Sequence, residues 1–584
     1  MWYDKTACVG GRKGMHKMKK VIPVIIAIVL IFIIAAVGFG GKVVEKYSYS
    51  KETADLDEYF GVSGDELAII LQDAMVEEKA LSKDGAVYFD IDTVHKYFNE
   101  GFYADEAEEK LLYTTATDTV EVTFGAKEYT DAGGAHALEY APCILAQGDA
   151  KVYVAADYVK RFSNYEYEVF DRHLQVYTEW SAKQTYEIAK NTSVRLKGGI
   201  KSPILRAVEK GETVELLEKM ETWSKVKTSD SLIGYVENKR LTNLNTEVEI
   251  PVEDYVAEEY TSILMDGKVS LGFHSIGGVG GNDTLAAMVK EGEGMNVIAP
   301  TWFSLTDNDG NCRSFATPQY VEKAHGYGLQ VWGVWDNFNY ALETGTDIDE
   351  VQVLSSTTKR RNLVQYIVDT SLGLGLDGVN IDFEGLTADC GEHFVQFIRE
   401  LSVACRKNSL VLSVDNYVPF HFNDFYRLDI QGQVADYVII MGYDEHWHGS
   451  KDPGSVASIG YVTNGLEKTL EQVPAEKVVN ALPFYTILWK TEGSDVTDEY
   501  ITLNNVDSFM KKVNVEPAWD EETCQNYAEW QSGDATYRIW LEDDESIKVK
   551  LNVMGAHKIG GVAVWRLGYG TDEVWQLVKL YAGS

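Results

Sequence analysis

Cysteine is scarce in this 584-residue chain: six in all, of which Cys143, Cys312, Cys390, Cys405 and Cys524 lie beyond the first forty positions. Those five are scattered, odd in number and without CxxC spacing, so they form neither a disulfide framework nor a metal site. Positive charge is also in short supply. Lys and Arg number 53 against 90 Asp and Glu, a formal net charge of -37. Such a field repels phosphate, which excludes a nucleic-acid partner and simple electrostatic adhesion to anionic lipids or wall polymers. An uncharged or weakly charged ligand, such as a polysaccharide, stays compatible. Low-complexity tracts are absent. The composition, 45% hydrophobic with many Tyr and Trp, is globular, and the length predicts three or four domains.

One long apolar run is present, VIPVIIAIVLIFIIAAVGFG at 21–40, about the 20 residues a bilayer needs. Arg12, Lys13, Lys17, Lys19 and Lys20 precede it, so residues 1–20 are expected to stay cytoplasmic, with the bulk of the chain extracellular. A cleaved signal peptide has a shorter apolar core, roughly 7–15 residues, and a small-x-small site. The expectation is an uncleaved single-pass transmembrane helix. Residues 51–180 hold short strand-then-helix pieces, AVYFDIDTVHKYF and AKVYVAADYVKRF, and are similar to the amine-oxidase N-terminal-like stalk modules; an α+β stalk is expected there. From 182 to 243 come closely spaced short strands broken by Gly and charged turns, the pattern of a small antiparallel barrel. The order V-R-L, G-E-T-V, W-S-K-V, G-Y-V resembles a bacterial SH3 domain. That resemblance implies attachment to the cell wall, with Trp223 and Tyr235 either stacking on a ligand or filling the module's core. The acidic stretch 244–262 reads as a solvated linker.

From 263 to 584 eight apolar runs alternate with helical stretches, the expectation for a (β/α)8 barrel. The fourth, LDGVNIDFEGL at 376–386, alternates Val379, Ile381 and Phe383 with Asn380, Asp382 and Glu384. Alternate residues of a strand face opposite ways, so one face packs under helices and the other lines up an amide and two carboxyls. Burying such acids costs several kcal/mol unless they are paired, which marks the strand as a site. Polar residues just past the other runs should converge with it: Asp415 and Asn416, then Met441, Tyr443 and Asp444, then Tyr485, then Trp565 with Arg566. A Trp- and Tyr-rich stretch from Lys490 to about Tyr537 is expected to form an inserted lobe beside the cleft.

D-G-x-x-x-D-x-E at Asp377–Glu384, Met-Gly-Tyr-Asp at 441–444 and Trp565, in this order, resemble the signatures of glycoside hydrolase family 18, the chitinase-like family. The resemblance implies that Glu384 is the general acid/base, that Asp382 orients the substrate's acetamido group, and that Asp377 is the first acid of the signature. It implies further that Tyr443 donates to the acetamido oxygen, that Trp565 floors the sugar, and that Asp444 and Asn416 bind sugar or oxazolinium. Met441 and Tyr485 complete the substrate-binding set. One departure is Asn380, where the family usually has Asp; wall- and spore-type members commonly read NIDFE. The implied reaction is retaining and substrate-assisted, without cofactor or metal, on an N-acetylated polysaccharide, peptidoglycan or chitin. An ionised Asp382 is expected to raise the pKa of Glu384 by repulsion. A catalytically silent, lectin-like barrel and a wall scaffold are the rival readings; the first usually lacks the acid retained here as Glu384.

Overall fold

A computed structural model describes residues 15–145, 151–248 and 255–583, the side chains of 15–22, 36 and 38–44 excepted. Two compact units result, one drawn from Met1–Phe98 and Ala155–Tyr255, the other from Asn99–Val154 and Val256–Ser584.

The first unit begins with a helix over Met15–Tyr47. The side chains described in its apolar run, 23–35 and 37, are all exposed. Among the described residues no helix is long and apolar enough to cross a membrane, so the transmembrane helix expected over 21–40 is not recovered; the side chains of 21, 22, 36 and 38–40 in that run lie outside those described. An antiparallel pair, Glu66–Leu71 and Ala74–Lys83, continues to Ala86–Asp90, while His173–Tyr177 adds in parallel to the first strand. Both strand-then-helix pieces form: Ala86–Asp90 runs into a helix capped by Asp90, and Val152–Ala155 into a short turn of helix. The SH3-like module is a seven-stranded antiparallel sheet over residues 182–248 around Ile188, Val194, Val208, Val214, Val226 and Val236. Trp223 and Tyr235 stand outside that aliphatic core. Both are half-buried beside Gly198, where a Cβ would lie 3.4 Å from the Trp223 ring.

In the second unit eight parallel strands close into a barrel: β1 Val269–His274, β2 Val297–Leu305, β3 Gln330–Asp336, β4 Gly378–Asp382, β5 Val411–Tyr417, β6 Tyr437–Met441, β7 Val478–Pro483 and β8 Gly561–Trp565. Each pairs with its sequence neighbours, and β1 pairs with both β2 and β8, which leaves no barrel edge. The helices Pro318–Gly326, Thr357–Leu374 and Gly391–Lys407 fall where apolar spacing places them. Between β7 and β8 a five-stranded antiparallel sheet with the helix Leu503–Val513 forms the expected lobe.

Residues 99–154 belong with the barrel, although the sequence places them in the stalk. Five of their strands, Phe102–Asp105 through Gly134–Ala137, make a meander. Two acids of the meander, Asp105 at a strand end and Glu108 in the turn after it, meet the helix Thr357–Leu374 at its N-terminus. Asp105 accepts from the Thr357 N–H at 2.7 Å, and Glu108 accepts from the Thr358 N–H at 2.9 Å and the Ser356 hydroxyl at 2.6 Å. These satisfy helix-terminal donors that have no partner within the helix. Arg360, fully buried, donates to Tyr103 and pairs with Glu400 at 3.1 Å. Arg406 donates to the Ala116 carbonyl at 2.7 Å.

Candidate active site

The C-terminal mouth of the barrel holds a cavity of about 200 Å³, lined by Phe273, Phe338, Asp382, Glu384, Asp415, Tyr417, Met441, Tyr443, Asp444 and Trp565. That is below the ~300–1,000 Å³ of common ligand clefts and suits one ring with its substituent. The alternation read in β4 is present. Phe383 faces outward, stacked on Phe397 with ring centroids 5.7 Å apart, while Asp382 and Glu384 face the cavity. Glu384 is held by its own peptide groups: its N–H donates to Asn337 Oδ1 at 2.9 Å and its carbonyl accepts from Asn337 Nδ2 at 2.8 Å. Asn337 is in turn tied to Glu350 at 2.7 Å.

Five carboxyls gather here, and burial raises the pKa of each. For Asp382 burial is followed by repulsion from Glu384, Asp415 and Asp336, which together push it well above the carboxylate range. Burial raises Glu384 as well; the hydrogen bond from Tyr417 opposes that rise, and Asp444 and Asp336 add to it. Asp415 is pushed from 3.8 to about 8 by burial, with the Asn380 amide, 2.8 Å away, pulling the other way. Asp336 is raised by burial against donors from Ser304 and Asn339. Asp444 rises through burial against the Tyr485 hydroxyl. Burial and the neighbouring carboxyls thus disfavour the ionised Asp382 that the sequence reading expects. Asp382 Oδ1 is buried without a hydrogen-bond partner, and so is Asn380 Oδ1 one inward position earlier. Asn380 Nδ2 is committed to Ser413 and Asp415.

The Met-Gly-Tyr-Asp run follows the same logic. Met441 ends β6 and Tyr443 and Asp444 face the cavity. Gly442 has no room for a side chain, since a Cβ would lie 2.7 Å from Asn480 Oδ1. Asp444 sits at φ 60°, a left-handed conformation uncommon outside glycine and tolerated by Asp, with its carboxyl tied to Tyr485 at 2.5 Å. Trp565 packs on Phe273 at 5.7 Å.

Six of the expected residues, Glu384, Asp382, Tyr443, Trp565, Asp444 and Met441, thus line one cavity, and Tyr485 stands directly behind Asp444. Two do not join them. Asn416 is buried on the outward face of β5, exchanging hydrogen bonds with Gln431 at 2.7 and 3.0 Å. With a period of two, its neighbours Asp415 and Tyr417 take the inward positions. Asp377 precedes β4 at the opposite end of the strand from Glu384. It accepts from the Val331 N–H and from His325, both at 2.8 Å, and so fixes chain entry into β3 and β4 without reaching the cavity. Sequence reasoning missed Tyr417, Phe273, Phe338 and Asn337. Among the described residues no cluster of His, Cys, Asp or Glu suits a metal ion.

Residues 347–570 match glycosyl hydrolases family 18, and residues 190–242 match the bacterial SH3 domain family. Among curated proteins, the chain is 25% identical over 294 residues to the uncharacterized glycosylase YvbX of Bacillus subtilis, covering 49% of this chain and 84% of that protein. It is 29% identical over 248 residues to the putative sporulation-specific glycosylase YdhD of B. subtilis, covering 39% and 56%. To a cortical fragment-lytic enzyme of Bacillus anthracis it is 24% identical over 234 residues, covering 39% and 54%. The chain spans about half the length of these last two relatives.

Proposed function

The barrel of this chain is a glycosyl hydrolase domain of family 18, and from that premise we propose that the protein cleaves β-1,4 bonds after N-acetylglucosamine in a wall-type glycan by substrate-assisted, retaining catalysis. The observation that carries this reading is Asp382 Oδ1, a buried acceptor without a donor of its own, at a cavity shared with Glu384 and Tyr443 and floored by Trp565. A buried acceptor left open in a cleft invites a donor from the ligand, and an acetamido N–H supplies one.

The steps follow from the electrostatics. Burial raises the pKa of Glu384, which favours the protonated form that gives its proton to the leaving oxygen. The acetamido carbonyl oxygen, held against the anomeric carbon, displaces the leaving group from within the same sugar, which makes the attack effectively unimolecular. Asp382 accepts the acetamido N–H. Positive charge developing on the oxazolinium favours the carboxylate form of Asp382, whose proton is released to solvent as the sugar binds. Tyr443 donates to the acetamido oxygen and Trp565 packs against the ring and its methyl. Water then opens the oxazolinium with Glu384 as base, giving retention.

This mechanism demands an N-acetylated sugar at the cleavage position. Two relatives are named for sporulation and for lysis of cortical fragments, which favours a wall glycan over chitin. Wall attachment through the SH3-like module and an extracellular location belong to the same proposal, because that substrate lies outside the cell. Glu384→Gln is the test. It should abolish release of reducing ends from purified peptidoglycan and chitin digested side by side, while glycan binding persists. Wild type and variant both inactive on every N-acetylated glycan, yet both binding, would leave a silent sugar-binding barrel.

A further inference from the structure

Tyr417 ends β5, and nothing in the proposed chemistry requires it. Its place is nonetheless set by register. Strands β4 and β5 pair Gly378 with Val411 and Ile381 with Val414, and the same offset brings Glu384 opposite Tyr417. The phenol oxygen accepts from the Gly385 N–H at 3.2 Å, and its single proton is donated to Glu384 Oε2 at 2.8 Å. The ring lines the cavity and is 37% exposed at its rim, packed edge-on to Tyr426 with centroids 6.1 Å apart.

A phenol has one hydrogen to give. With Tyr417 donating to Oε2, Oε1 is the oxygen left free to carry the proton of neutral Glu384 toward the cavity. We propose that Tyr417 is a positioning residue that fixes which oxygen of Glu384 delivers the proton and holds that carboxyl aimed into the cavity. The Gly385 N–H, the phenol and Oε2 form a chain of donors ending on the acid, while Asn337 clamps the same residue's backbone. When Glu384 gives up its proton, the phenol is already directed at the resulting carboxylate and stabilises it. The acid is therefore stronger than burial alone would leave it.

The inference rests on the glycosidase reading, and the test separates the two. Tyr417→Phe keeps the ring and removes only the donor. On soluble N-acetylated oligosaccharides it is expected to lower kcat roughly tenfold and to move the basic limb of the kcat–pH profile up by about one pH unit. Independently of turnover, carbon-13 titration of the Glu384 carboxyl, assigned against Glu384→Gln, should show a higher midpoint in Tyr417→Phe than in wild type. Equal midpoints with superimposable pH profiles would overturn the proposal. So would a lowered kcat with neither the limb nor the midpoint moved, which is the outcome for a merely structural tyrosine. A wild type that releases no reducing ends while the midpoints still differ would defeat the glycosidase reading and leave the phenol–carboxyl assignment standing.

Discussion

Asp415→Asn should make the barrel more stable in alkaline solution and change it little in acid. Asp415 faces the interior on β5, is 4% exposed, and receives the Asn380 amide at 2.8 Å. Burial carries its carboxyl from 3.8 to about 8, which disfavours the ionised form by about 6 kcal/mol at 1.36 kcal/mol per pH unit. A carboxyl raised on folding contributes stability that is fully present below its unfolded pKa and is lost as pH rises through the folded value. Between pH 4 and 8 the unfolded chain is ionised at this position and the folded one is not, so wild-type stability falls over that window and levels off above it. Asparagine keeps an acceptor oxygen for Asn380 and cannot ionise. The variant should therefore match wild type near pH 4, lead by about 1–2 kcal/mol at pH 5 and by several kcal/mol at pH 9. For a unit of this size the last figure corresponds to a rise in melting temperature of the order of 5 °C. Calorimetry of the full chain at four pH values between 4 and 9 measures it. Melting curves that differ by the same amount at every pH would show that Asp415 is not held neutral by the fold.

Two further outcomes follow from the placement of other acids. Asp377→Asn should leave kcat within about twofold, because Asp377 lies at the far end of β4, and should cost about 1 kcal/mol of stability through its weakened bonds to Val331 and His325; a hundredfold loss of kcat would return it to the site. Glu108→Ala should destabilise the barrel by about 1–2 kcal/mol near neutral pH. Against the upward push of burial, hydrogen bonds from Ser356 and Thr358 bring Glu108 down to about 2. Its contribution is therefore present above the ordinary Glu value near 4.5 and should fade as pH falls toward 2, and a gap between variant and wild type that stays constant through acid denaturation would contradict the capping role.

The barrel was legible because its strands are local patterns. Each of the eight apolar runs became a strand, and β4 wrote its own division into a packed face and a reactive face through the alternation Val379, Asn380, Ile381, Asp382. Where that alternation is ambiguous, reading fails. Asp415 and Asn416 are adjacent and both polar, so nothing in the string says which one faces inward; the pairing of β5 with β4 decides. Tyr417 was invisible for the same reason, since its partnership with Glu384 depends on register across thirty-three positions. Asp377 carried a signature's spacing but sits before the strand starts. The meander over Phe102–Ala137 reads as stalk in the sequence because its attachment to the barrel, through Asp105, Glu108 and Arg360, consists of contacts some 250 positions apart in the chain. The ionisation of Asp382 depended on what surrounds it, and a sequence lists neighbours in order without saying how much water they exclude.

The interleaving of the two units alters what a protease can accomplish. The chain passes from one unit to the other at 98–99, returns at 154–155 and passes over once more at 255–256. A single cut between residues 248 and 256 therefore severs only the last of three crossings. The meander, still seated on the barrel helices and still joined covalently at both of its ends to the SH3-bearing half, would keep the two fragments together as a nicked, working whole. Separating the barrel's unit from the SH3-bearing one would require three scissions.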